Sequence, residues 1–209
     1  MKTEVLSYKD IDISYKDKNV LSGFNLEINR GEKILLKGRS GSGKSTLLKI
    51  PMGFAHQSDG SVYFEKELLD SSSIWEARKK LAYICQDVDI CEGNVKSLID
   101  ETFMYKANRD KFDNQKLMEL LEYFNLGEDV LSKDFEKLSG GEKQRVGIIT
   151  ALLLNRDMYL LDEITSSLDS GLKSKVADYF LDHDEWTLLI VSHDREWERE
   201  NVKLINIGD

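Results

Sequence analysis

The sequence predicts an α/β fold with a mostly parallel sheet, an antiparallel β subdomain at the N-terminus and an inserted α-helical lobe. Three observations predict it. Apolar runs of strand length at 32–37, 81–85, 158–161 and 188–191 alternate with helical segments, the arrangement that makes strands parallel. Closely spaced apolar pieces at 5–6, 11–13 and 24–28, separated by polar turns, read instead as antiparallel strands. Between 87 and 137 the period becomes helical, clearest in Leu117, Leu120, Leu121 and Phe124 at spacings of three and four.

The 209 residues are enough for one domain with a full core. Residues 1–86 and 138–209 would form the core with its β subdomain, and 87–137 the helical lobe. A hydrophobic content of 41% and a charged content of 32% place the chain among soluble globular proteins. No apolar run approaches the length that crosses a bilayer, and Met1-Lys2-Thr3-Glu4 lacks the hydrophobic segment of a signal peptide. The expectation is a cytoplasmic chain whose membrane role, if it has one, comes through a partner. A formal charge of -9 argues against a nucleic-acid partner, since phosphate backbones demand a basic face. Cys85 and Cys91 have no paired His or Cys motif, so they read as reduced thiols in or near the core.

Taken in order, Tyr15 falls between strand pieces, where it is either a strand-end residue or a ring that stacks on a base. The strand containing Ile34-Leu35-Leu36 runs into Gly38-Arg39-Ser40-Gly41-Ser42-Gly43-Lys44-Ser45-Thr46, a phosphate-binding loop. Gly38, Gly41 and Gly43 let successive backbone N–H groups turn inward around a phosphate. Lys44 would reach the β and γ oxygens, Ser45 would ligate Mg²⁺, and the following helix would point its positive end at the same phosphates. Pro51, the only proline, should kink or end that helix, because it has no N–H for the carbonyl of Leu47. Residues 58–60 read as a turn into a strand at 61–64. A short basic helix at 74–80 carries Trp75 on its apolar side, open to core or partner contact. The strand at 81–85 then delivers Gln86 to its end.

Leu138-Ser139-Gly140-Gly141-Glu142-Lys143-Gln144-Arg145 opens a helix through Leu154, with Ser139 and Glu142 spaced as a capping box. Adjacent glycines weaken a first turn unless something must approach the backbone closely. The strand at 158–161 ends in Asp162-Glu163, two carboxylates whose placement points to a cation or a proton transfer. Asp169 and Ser170 open a helix to about Leu181. The strand at 188–191 ends at Ser192-His193-Asp194, where His193 alone is either structural or functional, and a strand at 202–207 closes the chain. One sheet edge thus gathers Lys44, Ser45, Gln86, Asp162, Glu163 and His193. That set reads as a nucleotide hydrolysis site, with Asp162 holding Mg²⁺ through water and Glu163 polarising the attacking water as general base.

In this order the motifs resemble the ATP-binding subunit of an ATP-binding cassette (ABC) transporter along essentially the whole chain, a P-loop NTPase core carrying the β subdomain and helical lobe. The resemblance makes Gln86 the Q-loop glutamine, Leu138-Ser139-Gly140-Gly141-Glu142 the signature, Asp162-Glu163 the Walker B end and Ser166-Ser167-Leu168-Asp169 the D-loop. It makes His193 the switch histidine and Tyr15 the aromatic that stacks on adenine. It implies ATP and Mg²⁺ as cofactors, with Ser45, Gln86 and Asp162 around the metal and Glu163, His193, Gln86 and Lys44 as catalytic groups. It also implies a homodimer, or a heterodimer with a second cassette, in which Ser139, Gly140, Gly141 and Glu142 of one copy face the ATP on the loop of the other. A separate transmembrane permease would hold the dimer at the inner face of the cell membrane. Ile164 replaces the proline common after the catalytic glutamate, and Pro51 interrupts a helix the family usually keeps whole. The signature and Walker B regions are most similar to bacterial iron or metal-ion export cassettes. A soluble ABC ATPase of iron-sulfur cluster assembly, with a similar signature, is the alternative.

Overall fold

The computed structural model describes residues 3–16, 18–86 and 93–208, so Cys91 and the start of the inserted lobe lie outside the described residues. The chain begins with the antiparallel strands β1 (Glu4–Tyr15) and β2 (Lys18–Asn29), and continues through β3 (Lys33–Lys37). Strands β4 (Asp59–Phe64) and β5 (Glu67–Leu68) complete an antiparallel sheet of order β2-β1-β4-β5. The other sheet adds β6 (Leu81–Ile84), β7 (Met158–Asp162), β8 (Thr187–Val191) and β9 (Val202–Asn206). Its order is β6-β7-β8-β3-β9, and every neighbouring pair is parallel.

Period-two alternation distributes this parallel sheet between two cores. Ile34, Leu36, Met158, Leu160, Leu189 and Val191 pack toward the antiparallel sheet. Leu35, Tyr159, Leu161, Leu188 and Ile190 pack toward the helical side of the molecule. With both faces covered, β3, β7 and β8 are apolar through their middle residues and carry polar side chains at their ends. That is why the functional side chains collect along one edge.

Two readings of the N-terminal region are corrected. The pieces at 5–6 and 11–13 belong to one strand, because the polar residues between them form a bulge and not a turn: Asp10 has φ 50° and the register shifts between Tyr8 and Ile11. The expected turn at 58–60 is already partly strand, since β4 begins at Asp59.

The helices are α1 (Lys44–Lys49), α2 (Ile74–Arg78), α3 (Val95–Met104), α4 (Asn114–Tyr123), α5 (Gly140–Leu153) and α6 (Ser170–Leu181). The second helix stops at Arg78, and Trp75 is 63% exposed with the Arg78 guanidinium 4.7 Å over its ring. The ring lies on the surface, so the core option for it falls. Asn94 and Asp113 cap α3 and α4 by accepting from Ser97 N and Lys116 N. Leu117, Leu120, Leu121 and Phe124 bury their apolar stripe in the same core as Phe135, Val146 and Ile149. Arg145 of α5 donates to the carbonyls of Phe124 and Asn125, both at 2.9 Å, satisfying backbone groups just past the end of α4.

Pro51 acts as its chemistry requires. Helix α1 stops at Lys49, and a 3₁₀ turn over Ile50–Met52 follows. The carbonyl of Leu47, which Pro51 cannot serve, accepts instead from the hydroxyl of the buried Tyr8 at 2.8 Å. Burial pushes the Tyr8 phenol far up, so it stays a donor. Tyr8→Phe would leave a buried acceptor unmet and should cost about 1–3 kcal/mol in urea unfolding. In a Pro51→Ala background, where an N–H is available, the same change should cost measurably less; an equal cost in both backgrounds would contradict the compensation.

Candidate functional site

The loop between β3 and α1 lines a cleft of about 710 Å³ together with Tyr15, Gln86, Glu163, Ser166, His193 and Asp194. Strand β3 sets where the loop starts. At Gly38 a Cβ would lie 2.2 Å from the carbonyl oxygen of Ile207, so the first glycine is demanded by the chain after β9, a packing reason that the loop motif does not reveal. Gly43 has φ 90° immediately before α1, a backbone state that disfavours a side chain. Lys44 is buried, and its Nζ donates to the carbonyls of Gly38 and Arg39 at 2.8 and 2.9 Å. The ammonium is thereby held against the loop it serves. Tyr15 ends β1 with its ring 54% exposed at the cleft and its hydroxyl 2.6 Å from Thr46 Oγ1. It is a strand-end residue that also lines the cleft, so the two options left open for it are compatible.

Ser45 donates to Asp162 Oδ1 at 2.8 Å, which brings the loop to the end of β7. A hydroxyl and a carboxylate oxygen side by side are hard donors of the kind Mg²⁺ takes, with phosphate oxygens and water completing an octahedron. Among the described residues no group of three or more His, Cys, Asp or Glu is placed to hold a metal. This donor set fits a cation shared with a nucleotide better than an all-protein cage. Gln86 lies beyond β6 at the exposed rim of the same cleft.

Glu163 follows Asp162 with φ 54°, and its N–H donates to the Val191 carbonyl at 2.8 Å. This turns the carboxylate toward the end of β8, where His193 Nε2 lies 3.5 Å from Glu163 Oε1. Burial pushes the Glu163 carboxyl above its ordinary range, and the His193 charge and a hydrogen bond from the His193 backbone only partly oppose it. The result is a carboxylate of raised basicity beside an imidazole that is 65% exposed.

Behind these two residues runs a network that the sequence did not disclose. Buried Trp197 donates from Nε1 to Thr165 Oγ1 at 3.1 Å, and Thr165 donates to Asp194 Oδ2 at 2.7 Å. Lys173 of α6 reaches Asp194 Oδ1 at 2.6 Å. Hydrogen bonds from Lys173 and Thr165 hold the Asp194 carboxyl below its ordinary range against the effect of burial. The loops after β7 and β8 are thus bound to each other. Tyr83 was also missed; it donates to Asp162 Oδ2 at 3.0 Å. A lone hydroxyl in an otherwise apolar strand was the available signal.

Ser139, Gly140, Gly141 and Glu142 are not among the residues lining this cleft. They form the start of α5 as a complete capping box: Ser139 Oγ accepts from Glu142 N at 3.3 Å, and Glu142 Oε2 accepts from Ser139 N at 2.9 Å. The N–H and the hydroxyl of Ser139, which donate to Glu142 Oε2 at 2.9 and 2.8 Å, keep the Glu142 carboxyl below its ordinary range. A Cβ on Gly141 would press to 3.3 Å from the Ser167 carbonyl, whereas one on Gly140 would meet nothing within 4 Å.

A family model described as ABC transporter matches residues 21–166. The chain is 32% identical over 198 residues to the ergothioneine transport ATP-binding protein EgtV of Helicobacter pylori (strain G27), covering 92% of each. It is 30% identical over 206 residues to the probable iron export ATP-binding protein FetA of Escherichia coli (strain K12), covering 97% of this chain and 91% of that one. The dimeric structure of MJ0796, a bacterial ABC transporter cassette, aligns at a TM-score of 0.81 and 26% identity over 97% of this chain and 94% of that one. Iron export is one activity named among these relatives, so the comparison singles out no cargo. The chain belongs to the ABC transporter family, as an ATP-binding subunit with ATPase activity.

Proposed function

We propose that the chain hydrolyses Mg-ATP in a site shared between two copies and drives a separate membrane-spanning permease. The observation that carries this reading is the separation of two half-sites. The loop at 38–46, Asp162, Glu163 and His193 converge on one cleft, while Ser139 and Gly140 stand exposed at the start of α5 outside it. A signature built to approach a phosphate then finds its phosphate on a second copy, or on another cassette, and the dimeric solved relative supports that arrangement. Among the described residues no helix is long and apolar enough to cross a membrane, so the reading assigns translocation to a partner and places the dimer at the inner face of the membrane.

In this reading ATP lies with adenine on Tyr15 and its phosphates along Gly38, Arg39, Ser40, Gly41, Ser42, Gly43, Lys44, Ser45 and Thr46. Lys44 turns from the Gly38 and Arg39 carbonyls to the β and γ oxygens. Ser45 and Gln86, with Asp162 through water, would hold Mg²⁺, which when bound would supply positive charge to the β and γ oxygens. Glu163 takes a proton from water as the water oxygen bonds to the γ-phosphorus and the bond to ADP breaks. His193 steadies Glu163 and the transferred group. Ser139, Gly140, Gly141 and Glu142 of the facing copy close the site from the other side. The catalytic core comprises 1–86 and 138–209, with the signature at the start of its second segment, directly after the lobe at 87–137.

Glu163→Gln keeps size and most hydrogen-bonding geometry but removes the base. With Mg-ATP, gel filtration should show a dimer for this variant and mainly monomer for the parent, while hydrolysis falls. Hydrolysis at the parental rate would remove Glu163 from the role of base. The raised Glu163 carboxyl gives two further expectations. Because only the ionised form accepts a proton, activity should fall on acidification at a pH above the ordinary carboxylate range. Because the folded state holds this proton more tightly than the unfolded state, ionisation lowers stability as pH rises through the folded pKa. Glu163→Gln should therefore melt no lower than the parent at neutral pH; a clear drop in Tm would contradict that sign.

A further inference from the structure

Asp162 is 6% exposed, and each of its oxygens has its own hydroxyl donor. Ser45 donates to Oδ1 at 2.8 Å, and Tyr83 donates to Oδ2 at 3.0 Å. The two donors come from different elements and grip the carboxylate from opposite ends. Register explains the contact: Tyr83 pairs with Leu160 across β6 and β7, so Asp162, two residues on, shares the face of the sheet that Tyr83 occupies. The Tyr83 ring is set by an edge contact with Phe54, at a centroid distance of 6.0 Å. Phe54 in turn carries the Arg78 guanidinium 5.2 Å over its ring. Arg78 is anchored by two bonds to the Met52 carbonyl, at 2.8 and 2.6 Å.

We propose that Tyr83 is a positioning residue for the divalent cation: its hydroxyl fixes the Asp162 carboxylate so that Oδ1 stays beside Ser45, facing the cation and not turned into the sheet. This rests on the reading of Ser45 as a ligand of the cation and of Asp162 as holding it through water. A carboxylate that lacks an outer partner can rotate or recruit water, and outer partners of metal ligands are typically worth about 10–100-fold in metal affinity. A buried Oδ2 left unmet disfavours the orientation that faces the cation.

The test is calorimetric titration of the non-hydrolysable analogue AMP-PNP into the full chain, once with Mg²⁺ and once with EDTA. The ratio of the two affinities measures the contribution of the cation alone. Tyr83→Phe should reduce that ratio about tenfold while leaving the affinity in EDTA unchanged. A merely structural role would lower both affinities together and leave the ratio intact, and that result would overturn the proposal. Tyr83→Leu, which also loses the ring, should reduce the ratio at least as much, so the question survives if one variant folds poorly. Asp162→Asn separates the levels. If it leaves the ratio unchanged, the reading of Asp162 itself fails; if it reduces the ratio while both Tyr83 variants do not, the positioning role alone fails.

Discussion

The hydrogen bond from Ser45 to Asp162 joins groups 117 residues apart and ties the phosphate loop to the central region of the parallel sheet. Much of the site's geometry follows from it. Strand β7 lies between β6 and β8, buried on both faces, so its end is fixed by packing before any polar contact is made. The loop inherits that fixed position through Ser45. A hydrogen bond to a charged group is worth about 1.5–3 kcal/mol, more than an ordinary neutral bond. It also helps to make a nearly buried Asp162 tolerable beside Glu163, since each carboxylate has its own partners: two hydroxyls for the first, and an imidazole with backbone support for the second.

Charge is arranged against the average of the chain. The formal charge is -9, and the cleft is lined by Lys44, Lys49, Lys173 and His193 together with the carboxylates of Glu163 and Asp194. Lys173 is committed to Asp194, which leaves Lys44 as the ammonium held closest to the loop. The Trp197–Thr165–Asp194–Lys173 network makes the position of His193 depend on the loop that carries Glu163.

Features coded by contiguous residues were legible before the structure. The phosphate loop, the capping box of Ser139 and Glu142, the Asp169 cap of α6 and the break at Pro51 depend on neighbours within one turn. Contacts set by register between distant strands were not. Tyr8 meets the Leu47 carbonyl 39 positions away, Trp197 meets Thr165 across 32, and Tyr83 meets Asp162 across 79. Each partner is decided only once sheets and helices stack. The bulge at Asp10 was misread for a related reason. A polar pair between apolar pieces looks the same whether it turns the chain or loops out of a continuous ladder, and the neighbouring strand decides which. The role of Gly38 was read as freedom for phosphate contact, and the structure adds a second cause, the Ile207 carbonyl where a Cβ would stand.

The central claim is that neither half of the site suffices alone. It is tested by mixing two disabled proteins. Lys44→Ala keeps the signature but loses the cation of the phosphate loop, and Ser139→Arg keeps the loop but blocks the signature with bulk and positive charge. Only a pair containing one of each can assemble a site with an intact loop facing an intact signature. ATP hydrolysis should be near background for either protein alone and rise well above their sum on mixing, with the increase lost on dilution. A mixture no more active than the sum of its parts, at concentrations where the parental protein turns over and both variants are folded, would contradict the shared site.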